Sequence, residues 1–243
     1  MTIVSVHQPN FLPWVKLLAK IAASDVYVAY DSVQFTKREF HARQLLRTRQ
    51  GGSAFLSVPV RHVGRRQILT EVRIENRLPW RADHLRFLEN NYRNAPWFGE
   101  VFPFVSDVYA LDHERLVDHN IGLIEAMCGY LRLNVRIVRA SALSHTGSRE
   151  QRLLELVRGV GGDEHLTSTR TTHQIDWTPF RAAHLPVFEQ YFRHPDYAPP
   201  GGTFLPDLSA LDVLFWQGRR AAETIRASTA LLANAEPAAP ARS

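Results

Sequence analysis

The residue types best suited to chemistry stand near the start of the chain, in HQPNFLPW, His7 through Trp14. His7 can exchange a proton, Gln8 and Asn10 can donate and accept through their amides, and Pro9 and Pro13 stiffen the backbone between them. A stiff backbone is what a preorganised site requires. The same composition also suits a proline-rich turn whose strand-end histidine is hydrogen-bonded in the core. Asp31 and Gln34 follow, and a basic run then passes through Lys37, Arg38, Arg43, Arg47 and Arg49.

The elements that must position these side chains are legible on either side of the motif. Residues 2–6, TIVSV, are apolar and rich in β-branched side chains, which predicts a buried strand; QPNFLP breaks it. Val15, Leu17, Leu18 and Ile21 recur at helical spacing, with Lys16 and Lys20 expected on the other face. DVYVAY, 25–30, predicts a second buried strand. Strand, helix and strand in so short a span form a βαβ unit, which favours a parallel sheet and brings His7 and Asp31 to one sheet edge.

Further strands are expected at 54–60, 71–75, 135–138 and 185–191, and helices at 80–92, 115–131, 150–160 and 209–226. The fold class is therefore α/β, a Rossmann-like mainly parallel sheet opening with a βαβ unit, with additional helices and some antiparallel strands. One domain is expected over residues 1–226, and the unpatterned stretch 227–243 reads as a disordered tail.

Composition narrows the functional classes. The 243 residues carry a net charge of +5 with 45% hydrophobic residues and one cysteine, Cys128. No basic-then-apolar leader and no apolar run of roughly 20 residues is present, so membrane insertion is not expected. A lone cysteine fits a reducing, cytoplasmic setting, and at a helical position beside Ile124 and Met127 it reads as core. The arginines favour anionic partners, but no nucleic-acid module is recognisable and nucleic acid is not expected. Neither a GxGxxG nor a GxxxxGK[ST] loop occurs. The histidines, His113 and His119 included, match no zinc spacing. No metal and no cofactor is expected.

HQPNFLPW, then DSVQFTKREFHARQ, LSVPVR at 56–61, YFRHPDY at 191–197 and GGTFLPDLSALDVLFWQG at 201–218 together resemble the WbqC-like family, over nearly the whole chain to about residue 226. Position by position, the resemblance implies a polar set of His7, Gln8, Asn10, Asp31, Gln34, Lys37, Arg43, His194, Tyr197, Ser209 and Asp212. The chain departs from the family pattern where Ala42 and Gln44 flank Arg43, and over LTSTRTTHQID, 166–176, which is expected to shape an acceptor pocket. A more distant resemblance is to the frame of HxGH nucleotidylyltransferases, with Phe11 and Trp14 where that frame has its two histidines.

The resemblance implies a role in bacterial surface-sugar pathways, placing an acyl or aminoacyl group, such as glycyl, on an amino sugar. In that reading His7 is the base, Asp31 orients it or binds the ammonium, and Gln8, Asn10 and Lys37 donate to the oxyanion. Trp14, Gln34, Arg43, His194, Tyr197, Phe204, Ser209 and Asp212 are then substrate-binding candidates, with His194 and Tyr197 facing the His7 pocket. The partner is a small-molecule substrate, an amino sugar or nucleotide sugar, with an acyl-carrier-type protein as a further candidate donor. The basic segment 37–49 would hold the anion. Two alternatives stay open: a nucleotide-sugar-modifying or nucleotide-dependent enzyme, and a non-enzymatic glycan or nucleotide-sugar binding module.

Overall fold

The computed structural model describes residues 1–36, 39–61, 64, 66–168, 174–197 and 202–233. Strand β1 (Ile3–His7) leads through helix α1 (Val15–Ala22) to β2 (Val26–Ala29), and β1 and β2 pair in parallel, His7 opposite Ala29. The βαβ expectation is thus met. A long excursion follows: the hairpin β3 (Arg43–Arg47) and β4 (Ser53–Ser57), then helices α2 (Trp80–Tyr92), α3 (Phe98–Ala110) and α4 (Leu116–Tyr130). The chain returns in β5 (Arg136–Arg139) beside β2, then continues through α5 (Arg149–Gly159), β6 (Glu164–Ser168), α6 (Thr178–Ala182) and β7 (Val187–Phe192). It closes with α7 (Ala210–Gln217), α8 (Ala221–Ala227) and β8 (Thr229–Ala233).

The main sheet runs β5-β2-β1-β6-β7-β8, all parallel except β8, which is antiparallel to β7. Counted along the chain, these strands stand third, second, first, fourth, fifth and sixth. The order reverses between β1 and β6. In open α/β sheets that reversal leaves a crevice outside the carboxyl ends of the two strands, because their crossovers depart to opposite sides.

Alternation along β1 and β2 divides the core. Val4, Val6, Val26 and Val28 face α5 and α6, joining Leu153, Leu156, Val157 and Phe180. Tyr27 and Ala29 face the other layer, where α1, the three helices of the excursion, α7 and α8 build the larger cluster. No helix among the described residues is long and apolar enough to cross a membrane.

Four expectations need correction. Residues 71–75 are not a strand: a 3₁₀ turn at Leu69–Glu71 leads into single bridges at Arg73 and Ile74, so the alternating pattern finds no continuous partner. The helix expected over 209–226 breaks at Gly218, whose φ of 59° ends α7. The tail does not begin at 227, since Thr229–Ala233 pairs with Phe188–Phe192; residues 234–243 lie outside the described residues. Finally, Lys20 does not sit on a solvent face. Helix α1 is wedged between the sheet and α7 and α8, and Lys20 is 3% exposed.

Candidate active site

The turn after β1 is fixed from several sides. Asn120 of α4 donates to the carbonyls of Pro9 (2.9 Å) and His41 (2.8 Å), and Phe11 N–H donates to Phe40 O (3.0 Å). Trp14 packs on Phe40 with ring centroids 5.0 Å apart. His41 accepts the Thr36 N–H on Nδ1 (3.3 Å), which leaves the proton on Nε2 for Gln8 Oε1 (2.7 Å). The Gln8 carboxamide is thereby oriented, with its NH₂ available to a ligand.

Two chambers open at the crevice. The larger, of about 540 Å³, is lined among others by His7, Gln8, Lys20, Ser32, Gln34, Arg149, Arg152, His165 and Thr167. The smaller, of about 220 Å³, is lined by His7, Gln8, Asn10, Trp14, Lys16, Lys20, Glu39, Phe40, Ser168 and Gln190 among others. They share His7, Gln8 and Lys20. The larger falls within the roughly 300–1,000 Å³ typical of small-molecule sites.

Lys20 lies between them. Helical side chains lean toward the helix start, and α1 starts at the carboxyl edge of the sheet, so the Lys20 stem runs back toward the crevice. Its Nζ donates to Val6 O at 3.2 Å. Burial, reinforced by the Lys16 ammonium, lowers the amine from 10.5 to about 7. His7 donates from Nδ1 to Gln8 O (2.9 Å) and His165 from Nδ1 to Val4 O (3.1 Å), so each can present an unprotonated Nε2. Burial, and then the neighbouring Lys20, pushes both imidazoles down to about 3. Near neutral pH the chambers therefore meet at one neutral imidazole, His7, and an amine poised to lose its proton, with the neutral His165 on the wall of the larger.

Not all of the candidates from sequence reach this place. His7, Gln8, Asn10, Trp14 and Gln34 line one chamber or both. Asp31 lines neither: it is fully buried, and its two oxygens accept from Ser141 N–H (2.8 Å) and Ser141 Oγ–H (2.7 Å), tying the end of β2 to the turn after β5. It does not orient His7. Arg43 lies in the β3–β4 hairpin over the Phe55 ring at 4.5 Å. Lys37 lies outside the described residues.

The carboxyl-terminal candidates form a separate structural cluster. Asp212 is buried against Arg47 (3.3 and 3.4 Å) and accepts from Tyr92 Oη–H (2.8 Å), with Tyr197 buried beside them. Ser209 caps α7 by accepting the Leu211 N–H (3.1 Å). His194 accepts the Asp207 N–H (3.1 Å) and meets Phe204 edge-on at 5.0 Å. None of the five lines either chamber. Among the described cations of the basic segment, Arg43, Arg47 and Arg49 line neither chamber; Arg47 is committed to Asp212 and borders a different groove with Arg49.

Lys20, Arg149, Arg152 and His165 went unnoticed in the sequence. Only Lys20 carried a signal, because it falls one turn after both Lys16 and Leu17, at the border of the apolar face of α1. Among the described residues no three His, Cys, Asp or Glu side chains converge to hold a metal ion. Cys128 is buried, its thiol pushed up to about 12 by burial.

Fold and crevice define an α/β protein of Rossmann-like strand order with a two-chambered crevice at the switch point of its sheet. The chain belongs to the WbqC-like protein family, whose model matches residues 8–224. It is 30% identical over 226 residues to the uncharacterized protein Rv1507c of Mycobacterium tuberculosis, covering 92% of this chain and 97% of that one. No solved structure matches it.

Proposed function

We propose that this protein is a transferase that forms an amide between an activated acyl or aminoacyl donor, a thioester or acyl-adenylate, and an amine such as an amino sugar. The observation that carries the reading is the Lys20 amine, buried where the two chambers meet and lowered to about 7. The attacking amine forms the new C–N bond at the acyl carbon while Lys20 takes its proton. Collapse of the tetrahedral intermediate breaks the C–S or C–O bond, and the proton passes from Lys20 to the leaving group. A base serves best when its pKa lies near the working pH, which favours Lys20 over His7 at about 3. His7 is better suited to accept an N–H of the incoming amine at Nε2 and so align it, while the Gln8 NH₂ suits the developing oxyanion.

The smaller chamber suits the acceptor. Glu39 offers a carboxylate to an ammonium, and Trp14 and Phe40 offer aromatic surface to a sugar ring. The test supplies an aminoacyl donor and an amino-sugar nucleotide and follows release of thiol or AMP together with amide. Turnover is expected in the wild type and lost by at least about 10²-fold in Lys20→Met. Thermal stabilisation by the sugar nucleotide with no turnover for any donor would instead make the protein a binding module. Turnover retained within a few fold in Lys20→Met would remove Lys20 from the chemistry.

A further inference from the structure

Three cationic side chains, Lys20, Arg149 and Arg152, line the larger chamber, and among the described residues no Asp or Glu lines it. The topology accounts for their meeting there. A crossover helix runs antiparallel to the strands it connects, so α5, which leads into β6, begins at the carboxyl edge where the crevice lies. Arg149 and Arg152 fall in its first turns, three residues apart on one face.

Neither arginine is neutralised by a carboxylate of the described residues. Glu155, the nearest acid toward the end of the helix, accepts instead from Thr146 N–H (2.7 Å) and Gln151 Nε2–H (3.2 Å). Glu150 accepts from Ser148 Oγ–H (2.9 Å). Arg152 Nε is buried without a hydrogen-bond partner. Two like charges at this helical spacing, facing a third across a chamber, are destabilising in the free protein. A buried guanidinium nitrogen without an acceptor adds to that cost. An anion in the chamber removes both costs at once.

We propose that the larger chamber binds a phosphate-bearing small molecule, with Arg149 and Arg152 each taking one of two adjacent phosphoryl groups. Guanidinium forks match phosphate oxygens bidentately, and two of them one turn apart suit a diphosphate better than a single carboxylate. The chamber is concave and about 540 Å³, which suits a nucleotide-like ester rather than the flat surface of a protein partner. This names the substrate class for the site proposed above and uses its location. It does not depend on amide formation being the reaction.

The experiment titrates full-length protein with inorganic pyrophosphate and with inorganic phosphate by calorimetry at low and physiological salt. Saturable one-to-one binding of pyrophosphate is expected, tighter than phosphate and weakened by salt. Arg152→Gln and Arg149→Gln should each weaken it by about tenfold or more. Arg226→Gln, on α8 away from the chamber, should leave it unchanged and reports non-specific attraction. Both chamber variants should match or exceed wild-type thermal stability, which shows that a lost site is not a lost fold. Absence of saturable pyrophosphate binding, or binding indifferent to Arg149→Gln and Arg152→Gln, or weakened equally by Arg226→Gln, would overturn the subsite. Amide formation intact alongside that result would leave the proposed reaction standing; pyrophosphate binding intact with no amide formed would do the reverse.

Discussion

Lys20 Nζ donates to the carbonyl of Val6 at 3.2 Å, joining the last turn of α1 to the end of β1, and no carboxylate of the described residues contributes to its ionisation. This pairing is poor compensation for burying an ammonium, and it marks Lys20 as a residue that the fold tolerates rather than needs. Natural proteins carry such groups where function requires them.

Replacing Lys20 should therefore raise stability while removing activity. The folded protein holds the amine at about 7 and the unfolded chain near 10.5, so the unfolded state binds the extra proton between those values. Stability contributed through this group rises with pH across that window, and below about 7 the burial cost is fully present, on the order of 5 kcal/mol. Lys20→Met also leaves Val6 O without its donor, so a net gain of about 1–3 kcal/mol at pH 6 is expected, shrinking toward pH 10. Chemical denaturation at the two pH values measures it, and a loss of stability at pH 6 would contradict the assignment.

Turnover should follow the same group. With Lys20 as base, kcat/KM rises with pH and levels off above about 7. Lys20→Arg keeps the positive charge and cannot deprotonate, so it should lose activity as Lys20→Met does. A pH profile unchanged in the residual activity of Lys20→Arg would assign the ionisation elsewhere.

Acid should destabilise this protein at a higher pH than its carboxylates alone would dictate. Burial lowers His7, His119 and His165 to about 3 and His41 and His84 to about 4. Each folded pKa lies below the unfolded value of 6.5, so the unfolded state binds more protons and stability falls as pH drops from about 6.5 toward those values. His119 has both ring nitrogens unpartnered among Trp80 (5.2 Å), Tyr109 (4.9 Å) and Phe11 (6.1 Å). His119→Phe should stabilise the protein more at pH 5 than at pH 8, read from urea midpoints at each.

Asp212→Ala should act on the fold rather than on the crevice. It strips Arg47, 6% exposed, of its counter-ion and leaves Tyr92 without its acceptor. Removing one partner of a buried pair costs about 3–5 kcal/mol. Equilibrium unfolding should show that loss, while pyrophosphate affinity below the transition stays at the wild-type value.

Gly218→Ala should be as damaging as a core deletion. The residue has φ 59°, and a Cβ there would enter the Trp97 ring. Left-handed strain of about 1 kcal/mol adds to the clash with the Trp97 indole, for a total of about 3 kcal/mol or more. A Tm within a degree of wild type would show that Trp97 moves freely.

The sequence by itself determined the opening βαβ unit, because apolar runs, a proline-broken turn and a helical period are local signals that tertiary contacts only reinforce. It also placed His7, Gln8, Asn10 and Trp14 at the carboxyl edge, since that follows from one strand, one turn and one helix. Strand β6, EHLTS, was not legible: two of its three buried members, His165 and Thr167, are polar, and the neighbouring strands with Trp177 and Phe180 account for their burial. Nor was the division between chemistry and scaffold. Asp31 and Asp212 look like site residues in one dimension, yet their partners Ser141 and Arg47 stand 110 and 165 residues away and hold the acids in fold contacts. Lys20 reverses the case. A lysine between Leu17 and Ile21 reads as a solvent-facing position until the sheet and helices α7 and α8 close around it, and desolvation, which only the assembled structure imposes, lowers the pKa of an otherwise ordinary ammonium.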